Sequence, residues 1–131
     1  MEYRKLIKSA REAQKKSFSP FSNFKVGAAL MTKEGKIFTG TNIECASYSL
    51  TMCAERNAVF QAYFAGEREF KAIAVACDTE EHCSPCGACR QALAELCGED
   101  LEVIMLNIND EPKIMTMKEL LPMAFTKEAL K

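Results

Sequence analysis

The chain has 131 residues, of which 48% are apolar and 27% charged, and its formal net charge is -1 at pH 7. That is material for one domain with a real core, and the charge balance excludes the basic excess of a typical nucleic-acid binder. No apolar run reaches the ~18 residues of a membrane span, and Glu2, Arg4, Lys5 and Lys8 interrupt what a signal peptide would keep apolar, so a cytoplasmic chain is expected.

In chain order, Leu6, Ile7, Ala10 and Ala13 recur at helical spacing within 2–16 and predict an amphipathic helix, with Lys15 and Lys16 on a solvated face. Residues 17–23 (S-F-S-P-F-S-N) form a loop by composition. Residues 24–32 and 36–41 are two strands, and Glu34-Gly35 between them marks a hairpin turn. The polar stretch 42–52 leads into an Ala-rich helix over 53–65, stopped by Gly66. Residues 71–77 (K-A-I-A-V-A-C) are a buried strand, and 78–85 a loop. A second helix over 86–97 has Pro85 at its first turn and Gly98 past its end. A strand over 101–106, a short strand over 113–117 and a short helix over 118–121 complete the chain. Strands alternating with helices argue for an α/β domain whose later strands run parallel. No internal repeat or domain boundary breaks 1–131.

The cysteines stand at 45, 53, 77, 83, 86, 89 and 97. In a cytosolic chain they call for metal binding, catalysis or core packing rather than disulfides. Two segments stand out, Cys53-Ala54-Glu55 and Pro85-Cys86-Gly87-Ala88-Cys89, each opening a helix after a loop. A C-x-x-C pair sets two thiolates close enough to share one metal ion, and Cys53 can add a third from the other helix. Three protein ligands leave one tetrahedral position open for water, as in catalytic zinc sites, where the metal lowers the pKa of that water toward neutrality. Three thiolates over-neutralise a divalent ion and weaken it as a Lewis acid. Helix N-termini offset part of this, and Arg56 or Arg90 can donate to a thiolate; Arg56 is the favoured one. Glu55, close to the metal without being a ligand, suits a proton carrier; its alternative is a first-turn Glu that complements the helix dipole.

C-A-E followed by P-C-G-A-C matches the pattern of the zinc deaminases, in which a Glu beside the first ligand is the acid/base. The stretches F-K-V-G-A-A-L (24–30), T-N-I-E-C-A-S-Y (41–48), T-M-C-A-E-R (51–56), S-P-C-G-A-C-R-Q (84–91) and E-L-L-P-M-A-F (119–125) resemble the small homotetrameric cytidine deaminases, in order and over most of the chain. The resemblance implies a three-layer α/β/α fold around a mixed sheet of about five strands. It also implies one zinc ion per subunit on Cys53, Cys86 and Cys89, with Glu55 as proton shuttle. Asn42 and Glu44 would bind the ribose, Phe24 would stack on the pyrimidine, and Ala46 and Ala54 would complete the substrate contacts. Tyr48 and Phe125 would reach a neighbouring subunit's site. The implied reaction is hydrolytic deamination of cytidine and deoxycytidine in pyrimidine salvage.

Other features fall outside the pattern. Cys83 forms a second C-x-x-C with Cys86, and a four-thiol site would be closed and structural, but Pro85 separates Cys83 from the helix and it reads as a loop residue. Cys45 lies in the ribose loop with no assigned effect. Cys77 and Cys97 read as core residues, and His82 as a solvated loop residue. The competing functions are a blasticidin-type deaminase, which would not need the Asn42/Glu44 pair, and a structural zinc module, which would need four ligands and a basic face. A C-x-x-C redox protein would not need Cys53 or Glu55. A deaminase acting on a polynucleotide would need a basic strand groove.

Overall fold

A computed structural model describes residues 3–130. Its helices are α1 (Arg4–Gln14), α2 (Ala54–Phe64), α3 (Gly87–Cys97) and the short α4 (Met117–Leu120), and its strands are β1 (Gly27–Thr32), β2 (Ile37–Thr41), β3 (Phe70–Ala76), β4 (Glu102–Met105) and β5 (Lys113–Thr116). The strands form one sheet in the order β2-β1-β3-β4-β5. Only β3 and β4 are parallel. They are joined through α3, the crossover that a parallel pair requires. The last strand departs from the expected parallel run, because the stretch 106–112 is shorter than the dozen or so residues of a crossover and returns β5 antiparallel to β4.

Side-chain alternation sorts the two faces of the sheet. Ala29, Ala72, Ala74, Ala76, Ile104 and Leu106 face α1 and pack on Tyr3, Leu6, Ile7 and Ala10. Leu30, Ile73, Val75, Val103 and Met105 face the other way and pack on Ala58, Val59 and Ala62 of α2 and Leu93 of α3. The result is the expected three layers around a five-stranded mixed sheet. Small residues set the spacing of both helices. A β-carbon on Gly27 would stand 2.1 Å from the Ala10 carbonyl oxygen, and one on Gly40 would stand 2.5 Å from that of Ala54. Glycine is therefore what lets α1 and α2 lie directly on the hairpin.

Most element ends agree with the sequence reading within a residue or two, and residue 2 of the first expected helix lies outside the described residues. The exception is the first strand, expected from residue 24 and starting at Gly27. The Asn42 side chain explains the difference: its Oδ1 accepts from the Val26 N–H at 3.0 Å and its Nδ2 donates to the Phe24 carbonyl at 2.7 Å. An amide side chain thus occupies backbone groups that a neighbouring strand would otherwise pair. The loop 42–52 also contains an unforeseen 3-10 turn, Tyr48–Leu50. The short helix α4 starts one residue early because Thr116 and Glu119 form a reciprocal capping box.

Candidate metal centre

The N-termini of α2 and α3 meet beside the C-terminal end of β3, the end of a parallel strand where open α/β sheets hold ligands. Cys53 and Cys86 are the residues immediately before the two helices, both with extended backbones (φ -75, ψ 154 and φ -68, ψ 170). Their carbonyls accept the first helical hydrogen bonds, from Asn57 at 3.1 Å and Arg90 at 2.9 Å, which fixes their backbones at the two helix starts. Cys89, one turn into α3, is buried.

The three Sγ atoms of Cys53, Cys86 and Cys89 all lie within 4.8 Å of one another, and the Cys53–Cys86 pair is 3.9 Å apart. Sulfurs held at about 2.3 Å around a tetrahedral zinc ion stand roughly 3.8 Å from each other, so the donor set fits that ion with small adjustment. Arg56 Nη2 donates to Cys53 Sγ at 3.5 Å. Among the described residues, Arg56 Nε is the buried side-chain nitrogen without a partner, as expected of a guanidinium held for an anionic cluster. Hydrogen bonds from the Cys89 thiol and from Arg56 push the Cys53 thiol down to about 5, against the penalty of burial. The Cys89 thiol moves up, chiefly because it donates to Cys53 and because it is buried. Arg90, the other basic residue beside a motif, is committed elsewhere: it donates to the carbonyls of Pro85 at 2.9 Å and Leu120 at 2.8 Å and to Ser84 Oγ at 2.5 Å. It braces the loop before α3 rather than the sulfurs.

Glu55 is 5% exposed and lines a cavity of about 730 Å³ together with Cys53 and Cys86. Burial pushes its carboxyl up to about 7, partly offset by its own backbone N–H; the neighbouring Cys53 thiolate adds to the rise. A buried carboxyl poised near neutrality beside a metal-capable cluster can hold a proton or release it at working pH.

The structure distributes the other expected residues unevenly. Phe24, Asn42 and Ala54 line the same cavity, with Phe24 45% exposed and free to cover a planar ligand. Asn42 is held in place by Ser17 Oγ at 2.6 Å as well as by its backbone contacts. Glu44 does not line this cavity. It lines a smaller adjoining one with Phe21, Ser22, Tyr48 and Thr51, and Thr51 belongs to both. Its Oε1 accepts from the N–H groups of Phe21 at 3.0 Å and Ser22 at 3.1 Å, and Oε2 from the Ser22 hydroxyl. The Ser22 hydroxyl, foremost, holds the Glu44 carboxyl below its usual range. Ala46, Tyr48 and Phe125 are exposed and do not line the chain's own large cavity. The Phe125 carbonyl is tied to α3 by Gln91 Nε2 at 2.7 Å.

Cys83 is outside the three-sulfur group, buried, and anchored by its N–H to the Leu106 carbonyl at 2.8 Å. Burial pushes its thiol up. Cys77 is buried and half-buried Cys97 packs against the core, as expected, although Cys77 also reaches the cavity wall. His82 is exposed. The sequence reading did not single out Thr51, Met52, Thr79, Glu80 or Glu81, which also line the cavity. The position of 78–84 just beyond a parallel strand is the signal that would have found the last three.

A sequence model of the cytidine and deoxycytidylate deaminase zinc-binding region matches residues 1–105. The chain is 50% identical over 128 residues to a cytidine deaminase of Halalkalibacterium halodurans, covering 98% of this chain and 97% of that one. It is 47% identical over 130 residues to a cytidine deaminase of Sporosarcina psychrophila, covering 99% and 96% of the two chains. The fold superposes on the crystal structure of a cytidine deaminase from Burkholderia pseudomallei with a TM-score of 0.92 and 48% identity, covering 95% of this chain and 100% of that one.

Proposed function

This chain belongs to the cytidine and deoxycytidylate deaminase family, and from that premise we propose that it is a zinc-dependent cytidine deaminase, converting cytidine and deoxycytidine to uridine and deoxyuridine with release of ammonia. The observation that carries the reading is the buried Glu55 carboxyl lining one cavity with two of three clustered thiols. A structural zinc module has no use for a buried acid beside its ligands, and the fourth thiol it would recruit, Cys83, packs on the core and touches the cavity wall but stands outside the three-sulfur group.

Cys53, Cys86 and Cys89 would hold one zinc ion per chain. When bound, zinc supplies Lewis acidity that makes water a usable nucleophile near neutral pH. Glu55 takes a proton from the attacking water and delivers it to N3 of the cytosine ring as C4 is attacked. The same carboxyl then takes the remaining proton from the hydroxyl now on C4 and passes it to the departing amino nitrogen, so that C4=O forms as the C4–N bond breaks and water is added and ammonia lost without net consumption of protons at the enzyme. Arg56, bonded to Cys53, stabilises that sulfur as an anion and withdraws charge from an over-neutralised site. Phe24 covers the ring, and Asn42 together with Glu44 binds the ribose. Glu44 exchanges some of its bonds to Phe21 and Ser22 for the sugar hydroxyl. Ala46 and Ala54 supply further substrate contacts.

Residues 1–131 act as one deaminase domain in a homotetramer with shared sites. Tyr48 at 73%, Met123 at 101% and Phe125 at 58% exposure form apolar surface that a lone chain leaves in water, which supports an interface through which Tyr48 and Phe125 reach a neighbour's site. No helix among the described residues is long and apolar enough to cross a membrane, and we place the enzyme in cytoplasmic pyrimidine salvage. The direct test is ammonia release from free cytidine by the purified protein, before and after removal of zinc with a chelator. Zinc-dependent release is expected. A folded, zinc-loaded protein that releases none would overturn the reading.

A further inference from the structure

The family joins two substrate classes, cytidine nucleosides and deoxycytidylate, which differ in charge by a 5′-phosphate. The cavity wall of this chain bears on that difference. Its lining includes the three carboxylates Glu55, Glu80 and Glu81 and one histidine, His82, and no lysine or arginine. Glu55 is buried, whereas Glu80 and Glu81 are exposed, which sets the last two on the rim.

The rim segment is held in place. Arg11 donates to the Cys77 carbonyl at 2.9 Å and pairs with Asp78 at 3.4 Å, so the one acidic residue of this stretch with a cationic partner is Asp78, outside the cavity lining. The Thr79 carbonyl accepts from the Ile108 N–H at 2.7 Å, and Thr79 Oγ1 donates to the Glu81 carbonyl at 2.7 Å. Among the described residues the Glu80 and Glu81 carboxylates take part in none of the ion pairs. Two carboxylates outside any of these ion pairs are therefore carried by a held backbone on the rim of a site whose lining has no lysine or arginine to receive a phosphate, the one other basic group there being the single histidine His82. A phosphate group carries between one and two negative charges near neutrality, and at ordinary salt its repulsion from rim carboxylates acts over about 10 Å.

We infer that Glu80 and Glu81 form a charge filter that makes this enzyme select the uncharged nucleoside and turn away its 5′-phosphorylated form. The inference rests on the deaminase reading above. It assigns the two residues to specificity, not to the chemical step.

The experiment compares deoxycytidine as substrate with deoxycytidylate as competitor in the intact protein. The readout is the inhibition constant of deoxycytidylate divided by KM for deoxycytidine, so a general change in activity or folding cancels. In the double variant Glu80→Lys, Glu81→Lys this ratio is expected to fall at least tenfold. In Glu80→Gln, Glu81→Gln it is expected to fall severalfold. In the wild type it should fall as salt rises, because screening weakens the repulsion. An unchanged ratio in both double variants would overturn the filter while leaving the deaminase reading intact. A folded, zinc-loaded wild type that does not turn over deoxycytidine would overturn the deaminase reading and the filter with it.

Discussion

The carbonyl oxygen of Ala54 lies 2.5 Å from where a β-carbon on Gly40 would stand. Strand β2 and the first turn of α2 thus touch backbone to backbone, and that first turn carries Cys53 and Glu55 at the candidate site. The contact cannot relax through a flexible side chain, because the obstructing atoms are themselves backbone. Gly40→Ala should lift the start of α2 off the sheet, costing about 1–3 kcal/mol as overpacking. It should also displace Cys53 from Cys86 and Cys89. Urea unfolding together with zinc analysis checks this. The expected outcome is a lower midpoint and weakened zinc binding in the same variant, and an unchanged midpoint would refute the packing argument.

Two cysteine substitutions separate the three-thiol site from a four-thiol one. Cys53→Ala should lose zinc and activity together, since it removes the ligand contributed by α2. Cys83→Ala should keep its zinc and lose about 1 kcal/mol of stability, the effect of trimming a buried thiol from the core. Metal content measured on the purified variants decides. Zinc loss from Cys83→Ala with retention in Cys53→Ala would reverse the ligand assignment.

Glu44 gives a pH dependence with a definite sign. The Ser22 hydroxyl and the N–H groups of Ser22 and Phe21 favour its charged form, so its carboxyl titrates lower in the folded chain than in the unfolded one. Its contribution to stability is therefore complete above the ordinary carboxylate range. It is lost as pH falls through that range toward the lower folded value. Unfolding midpoints measured from neutral to acid pH should show this loss in the wild type, with a shallower acid decline in Glu44→Gln. Identical acid profiles for the two proteins would show that the carboxylate is not held as described.

Much of this architecture is legible in the sequence, for identifiable reasons. The starts of α2 and α3 are marked by a loop before Cys53 and by Pro85 before Cys86, and their ends by Gly66 and Gly98. Once both helix starts are fixed, the spacing of Cys86 and Cys89 and the place of Cys53 leave little freedom for the sulfurs. Phe24 to Val26 misled because β-favouring residues predict a strand, whereas the Asn42 side chain occupies their backbone groups. No periodicity reveals such a long-range amide contact. The strand order was equally hidden, since apolar runs report burial and not neighbours. The cavity wall at 79–81 was hidden because a polar, exposed loop has the same composition whether it faces bulk water or a ligand. The smaller cavity beside Glu44 is lined by Tyr48 of the 3-10 turn Tyr48–Leu50, for which the local sequence carries no distinct signal.

The central claim is that Glu55 moves protons for a deamination beside a zinc ion held by three thiols. Its most direct test is the conversion of cytidine to uridine by the wild type and by Glu55→Gln, with zinc content measured on both. Glutamine keeps the shape of the buried side chain but cannot carry the proton. The account predicts that the variant stays folded, retains its zinc and loses at least about 10²-fold to 10⁴-fold in kcat. A zinc-loaded Glu55→Gln protein that converts cytidine at the wild-type rate would contradict it.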